Sequence, residues 1–124
     1  SRCRSIFQLW IIEECPAERG LETLGNSAFE YSAIENIKVP STLKRIEVGT
    51  FASCKNMKSI ELPDRVEYIG ERCFKESSIE TIELPSRLKR IEDGMFENCE
   101  NLKSVEIPEG VDYIGYGCFE SSAI

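Results

Sequence analysis

The sequence predicts a repeat solenoid, mainly β, that turns once every 22–23 residues and carries short parallel strands on two faces. Three observations lead there. The stretch IELPSRLKRIEDGMFENCENLKS, Ile82 to Ser104, recurs 45 positions earlier as IKVPSTLKRIEVGTFASCKNMKS, Ile37 to Ser59. A second unit, one residue shorter, runs from Ile60 to Thr81 and recurs 45 positions later from Val105 to Ile124. Phe29, Phe51, Phe74, Phe96 and Phe119 return once in every unit, as an interior column would.

Residues 1–20 are the least regular part and read as a degenerate repeat or an N-terminal cap. In the repeat reading Cys3, Ile6, Leu9 and Ile11 fall on the pattern of Cys54, Met57, Ile60 and Leu62, which turns Trp10 outward. The apolar run from Ile6 to Ile12 follows two arginines in the manner of a signal sequence, but Gln8 breaks it and no small-residue cleavage site follows. From Leu21 the register is clean, and residues 21–124 hold about four and a half coils. Ser1 in the place of an initiator methionine, and Ile124 in mid-repeat at the position of Ile79, are what an excised or processed fragment would show. A signal, an anchor or a C-terminal cap would then lie outside these residues, and an uncapped last coil would expose an apolar end able to self-associate on an otherwise monomeric chain.

Each coil contains two segments of strand character. In the first, as in Leu102-Lys-Ser-Val-Glu-Ile107, alternation sends Val105 and Ile107 inward and Glu106 outward. Pro40, Pro63, Pro85 and Pro108 come next and end the strand, because proline offers no N–H to a ladder and presets a turn. The second segment, as in Leu88-Lys-Arg-Ile91, runs into a corner containing Gly70 or Gly115 in one kind of coil and Gly49 or Gly94 in the other. Both corners are expected to use glycine's freedom at positive φ.

The outward columns alternate between the two kinds of coil. One runs Glu22, Lys44, Glu67, Lys89, Asp112, a second Thr23, Arg45, Tyr68, Arg90, Tyr113, and a third Glu35, Lys58, Glu80, Lys103. Strands about 4.8 Å apart would give every charge two opposite neighbours, and a slip by one coil would oppose like signs. Guanidinium groups could stack on the tyrosine rings. The columns therefore read as a register device, with unselected inheritance from duplication as the alternative. The two kinds are called here lysine coils (37–59 and 82–104) and acid coils (21–36, 60–81 and 105–124). One column departs from alternation: Lys38, Glu61, Glu83, Glu106. Its three carboxylates are solvated and splayed, or answer a basic patch on a partner or a loosely held cation.

These residues resemble the BspA-like leucine-rich repeats, whose repeat reads approximately LxxIxLPxxLxxIGxxAFxxC. Residues 21–124 match, down to Ala28-Phe29 and the F-x-x-C of Phe51 to Cys54 and Phe96 to Cys99. Cys73 and Cys118 replace the alanine before phenylalanine. The resemblance implies a right-handed leucine-rich-repeat coil, and a cell-surface or secreted protein of a bacterium or parasitic protist that adheres to host cells or matrix proteins.

The chain contains no histidine, which removes the usual general base and the Ser-His and Cys-His nucleophile pairs. No phosphate loop or EF-hand spacing occurs, so no cofactor, no metal and no catalysis is expected. A formal charge of −7 argues against nucleic acid, and no apolar run reaches the length of a spanning helix. Of six cysteines, Cys54 with Cys99 and Cys73 with Cys118 sit two strand spacings apart, about 9–10 Å, beyond the roughly 7 Å a disulfide allows. Cys54 with Cys73 stays geometrically open, buried thiols are the expected state, and Cys3 with Cys15 is the remaining candidate bridge.

What is left is a non-enzymatic module that binds another protein, with a structural spacer or an intracellular scaffold as alternatives. The candidate contact residues are Arg45, Tyr68, Arg90 and Tyr113 on one face, or Glu61, Glu83 and Glu106 on the other. Tyrosine and arginine are frequent interface anchors, and the stacked row is also a sufficient structural reason for them.

Overall fold

The computed structural model describes residues 20–124 throughout and, before them, the backbone of two short strands. Among these residues no helix occurs. The strands are β1 (Ser5–Ile6), β2 (Leu9–Ile11), β3 (Thr23–Leu24), β4 (Asn36–Lys38), β5 (Arg45–Ile46), β6 (Tyr68–Ile69), β7 (Arg90–Ile91) and β8 (Tyr113–Ile114). From β2 onward all pairings between neighbouring coils are parallel, as successive turns of one coil require.

Two sheets line the solenoid. The first contains β1, β2 and β4 and continues through single bridges, Lys38 with Glu61 and Glu83 with Glu106. The second contains β3, β5 and β6 and resumes as β7 and β8. The registers Thr23 with Arg45, Arg45 with Tyr68 and Arg90 with Tyr113 are those of the aligned columns. One expectation needs correction: neither sheet is continuous, since no strand pairing joins Tyr68 to Arg90 or Glu61 to Glu83. The coils on either side of that seam are held instead at the phenylalanine corner.

That corner is built by two left-handed positions per coil. Ser27, Gly49, Arg72, Gly94 and Gly117 form one such column, and Tyr31, Ser53, Glu76, Asn98 and Ser121 the other, with φ between 54° and 65°. Three N–H groups per coil then point along the axis. Gly49, Phe51 and Ser53 donate to the carbonyls of Glu71, Cys73 and Lys75 at 2.7–2.9 Å. Arg72, Phe74 and Glu76 repeat this to Asp93, Met95 and Glu97, and Gly94, Phe96 and Asn98 to Tyr116, Cys118 and Glu120. The phenylalanine rings between these bonds stack at 5.6–5.7 Å with interplanar angles of 4–10°. Each offset pair adds about 0.5–1.5 kcal/mol beyond its buried area.

The core follows the columns. Leu43, Val66 and Leu88, then Ile46, Ile69 and Ile91, then Phe51, Phe74 and Phe96 are essentially inaccessible. Each proline opens the turn after the first sheet, its carbonyl accepting from the residue three ahead: Leu43, Val66, Leu88 and Val111 at 3.1–3.2 Å. The last coil is the exception, with Ile114 54% and Ile124 60% exposed.

The structure corrects two details of the sequence reading. Strand β2 sets Trp10 opposite Ile37 and Ile11 opposite Lys38, so Trp10, not Leu9, takes the place in line with Ile37 and Ile60. β2 also pairs antiparallel with β1, Ser5 opposite Trp10 and Ile6 opposite Leu9, unlike the parallel pairings between coils. The two kinds of corner glycine, moreover, exist for different reasons. Gly49 and Gly94 are left-handed, with φ of 65°, whereas Gly70 and Gly115 are not. A Cβ on Gly70 would lie 2.6 Å from the Val48 nitrogen, and one on Gly115 2.5 Å from that of Asp93. Close packing of backbone on backbone excludes a side chain there. Gly70→Ala is therefore expected to cost more than Gly49→Ala, about 2–3 against about 1 kcal/mol, read as the separation of two denaturation midpoints.

Candidate functional site

The outward residues of β4 and of the coils that follow it form the floor of an open groove of about 790 Å³ over the first sheet. Lys38, Glu61 and Glu83 lie on this floor, because they alternate with the inward Ile37, Ile60 and Ile82. Pro63, Asp64 and Pro85 form one wall, where the proline turns leave the sheet. Glu106 continues the row, bridged to Glu83 through the backbone. All three glutamates are exposed, and among the described residues no cation lies within 4.0 Å of Glu61, Glu83 or Glu106. Among the described residues no group of three or more Asp, Glu or Cys side chains converges closely enough to hold a metal ion.

The second-sheet row is arranged differently. Arg45 lies in β5 and Glu47 directly follows that strand, two residues on, and the Arg45 Nε donates to Glu47 at 2.8 Å. The same guanidinium lies 4.3 Å from the Tyr68 ring centre. One period on, Arg90 bonds Glu92 at 2.8 Å and lies 3.9 Å from the Tyr113 ring, whose hydroxyl donates to Asp93 at 3.1 Å. Thus the structure brings Arg45 to Tyr68 and Arg90 to Tyr113, while Tyr68 and Arg90 do not stack on each other. The expected continuous row is two separate pairs. The hydrogen bond to Glu47 raises the Arg45 pKa and that to Glu92 raises Arg90, so each charge is firmly held. Burial raises the Tyr68 phenol, and the bond to Asp93 that of Tyr113.

Sequence reasoning missed Glu47 and Glu92. The available signal was their own column, Gly25, Glu47, Gly70, Glu92, Gly115, in which a glutamate appears wherever an arginine stands two residues earlier. The predicted charge columns are also less direct than expected. Lys44 and Glu67 donate their N–H groups to Glu22 and Lys44, so the column exists in the backbone. Among the described residues its side chains nevertheless make no ion pair within 4.0 Å, and the close pairs there are Arg45–Glu47, Arg72–Glu71, Lys75–Glu97 and Arg90–Glu92. Exposed lysines and glutamates gain too little from a fixed geometry to offset the side-chain entropy it removes.

Residues 22–124 match, in six copies, the family described as BspA type leucine-rich repeat region. The chain belongs to the BspA-type leucine-rich repeat family. Among solved structures it is similar to a leucine-rich repeat protein of T. pallidum, with 31% identity and a TM-score of 0.77 over 82% of this chain and 49% of that one. It is also similar to a leucine-rich cell surface protein of Faecalibacterium prausnitzii, with 31% identity and a TM-score of 0.68 over 78% of this chain and 27% of that one. The chain thus spans about half the length of the first and about a quarter of the second. No curated protein matches it. BspA-type repeats form protein-interaction modules, typically non-enzymatic, and no helix among the described residues is long and apolar enough to cross a membrane.

Cys54, Cys73, Cys99 and Cys118 are free and buried, while Cys3 and Cys15 lie outside the described residues. The Cys54–Cys73 bridge left open by spacing is therefore not formed. Burial pushes the Cys54 thiol from its ordinary 9.0 up to about 11, and raises those of Cys73, Cys99 and Cys118 as well. Folding holds these groups neutral, so their contribution is whole below the unfolded pKa and declines as pH rises. Thermal melts should give a midpoint that falls between pH 9.0 and about 11, with thiol reagents reacting only after unfolding.

Proposed function

We propose that this chain is a non-enzymatic binding module of a cell-surface or secreted protein, and that it receives a basic segment of a partner protein in the groove over Glu61 and Glu83 and along the row that Glu106 continues. One observation carries the choice of face. The arginines of the second sheet already meet an internal carboxylate and an internal ring, whereas among the described residues no cation lies within 4.0 Å of the glutamates of the first. A surface whose charges are satisfied internally gains little from a partner, and one with an open row of like charge gains by complementarity. The overall charge of −7 acts in the same direction. The partner follows by analogy with the family: a host surface or matrix protein, bound in adhesion.

A second reading, that these coils are a spacer between binding sites elsewhere, is favoured by the near-identity of units 45 residues apart, since a specific site normally breaks repeat symmetry. Calorimetric titration with a synthetic arginine-rich peptide separates the two. Binding should weaken about tenfold in Glu61→Gln/Glu83→Gln and fall with added salt, while Arg45→Gln/Arg90→Gln leaves it unchanged. Equal affinity in all three proteins would establish the spacer.

A further inference from the structure

The seams between successive coils are not bonded alike. Outside the phenylalanine corner, coil 60–81 is tied to coil 37–59 by β6 on β5 and by the Lys38–Glu61 bridge. The N–H groups of Glu67, Gly70 and Glu80 add bonds to the carbonyls of Lys44, Ile46 and Lys58 at 2.8–2.9 Å. Coil 105–124 is tied to coil 82–104 in the same way, by β8 on β7 and the Glu83–Glu106 bridge. Asp112, Gly115 and Ala123 there donate to Lys89, Ile91 and Leu102 at 2.7–3.0 Å. At both seams an arginine also reaches forward over a tyrosine. Coil 21–36 meets coil 37–59 through β3 on β5, with the Glu47 N–H on Leu24 at 3.0 Å.

The seam between coils 60–81 and 82–104 is joined along one edge. No strand pairing or bridge crosses it, and Lys89 and Glu92, the counterparts of Glu67 and Gly70, donate to no backbone carbonyl of the preceding coil. Its backbone bonds, from Arg72, Phe74 and Glu76, all lie at the corner. The corner adds the Cys99 thiol on the Phe74 carbonyl at 2.9 Å, as Cys54 donates to Phe29 at 3.1 Å, and the Lys75–Glu97 pair at 3.9 Å. Among the described residues the hydrogen bonds across this seam away from the corner are those of Ser86 to Asp64, at 3.4 Å. The seam also passes under the groove, which Glu61, Leu62 and Pro63 line from one side of it and Glu83, Leu84 and Pro85 from the other.

We infer that the chain divides at this seam into two cooperative units, residues 20–81 and 82–124, joined at the phenylalanine corner, and that a basic segment bound over Glu61 and Glu83 clamps them together. Val66, Ile69, Leu88 and Ile91 bury their side chains here as their counterparts do at the neighbouring seams, so the backbone bonds decide where the coils part most readily. A segment that touches both units binds the joined arrangement better than the parted one, and so raises the free energy of opening at that seam. The clamp rests on the groove reading above, whereas the division into units does not.

Amide exchange of the whole chain, followed as urea is raised, tests both. In the free chain Arg72, Phe74 and Glu76 should exchange at least as readily as Gly94, Phe96 and Asn98, and about tenfold or more faster than Gly49, Phe51 and Ser53. One opening common to all nine amides, or an opening of Gly94, Phe96 and Asn98 that precedes that of Arg72, Phe74 and Glu76, overturns the division. Saturating arginine-rich peptide should then slow exchange at Arg72, Phe74 and Glu76 more than at Gly49, Phe51 and Ser53, and this difference should vanish in Glu83→Gln. Equal slowing of both sets sinks the clamp. A peptide that fails to bind removes the groove reading and the clamp with it, while the division measured on the free chain stands.

Discussion

The structure depends on one recurring interaction: three backbone N–H groups at the phenylalanine corner, all directed along the solenoid axis onto the carbonyls of the next coil. Each such bond contributes on the order of 1 kcal/mol net, but leaving a buried amide unpaired costs more, so the triplet makes each coil require its neighbour. The two left-handed residues flanking each phenylalanine aim the triplet, and glycine meets that demand at Gly49, Gly94 and Gly117. Arg72 and Glu76 meet it with ordinary side chains, at a backbone cost that the bonds on either side offset. With the corner held this firmly, the sheets can break between β6 and β7 while the phenylalanine stack continues unbroken.

The alternation of two kinds of coil acquires a physical meaning on this framework. One seam uses a cation over an aromatic face and the other a buried thiol on a carbonyl, so a unit 45 residues long contains one of each. A buried thiol is a weak donor that fills a small apolar site, and it is inert while its pKa stays raised. The cysteines are thus packing and joining groups of the core. The charge columns themselves form no ion pair within 4.0 Å among the described residues.

The two faces of the solenoid differ in how their charges are met. On the second sheet arginine, glutamate and tyrosine contact one another. On the first sheet the proline turns rise beside a floor that holds Lys38, Glu61 and Glu83. Both faces come from the same repeat, and what separates them is whether an opposite charge lies two residues further along the chain, as Glu47 and Glu92 do for Arg45 and Arg90.

Much of this was legible without coordinates. The period, the inward columns, the phenylalanine stack, the proline turns and the Arg–Tyr contacts follow from the repeat alone, because in a solenoid equivalent letters must become neighbours. The sequence also singled out Glu61, Glu83 and Glu106 by their failure to alternate. Other features depend on the path of the backbone and on side-chain geometry that no alignment contains: the interrupted sheets, the one-residue shift at Trp10, and the splitting of the Arg–Tyr row by Glu47 and Glu92. So does the contrast between Gly49, needed for its φ, and Gly70, needed because another backbone passes within 3 Å of where a side chain would begin. Periodicity determines which residues meet across a seam; only the packed coil decides which of those meetings become bonds, since that depends on angstrom-scale approach and on what each group already holds.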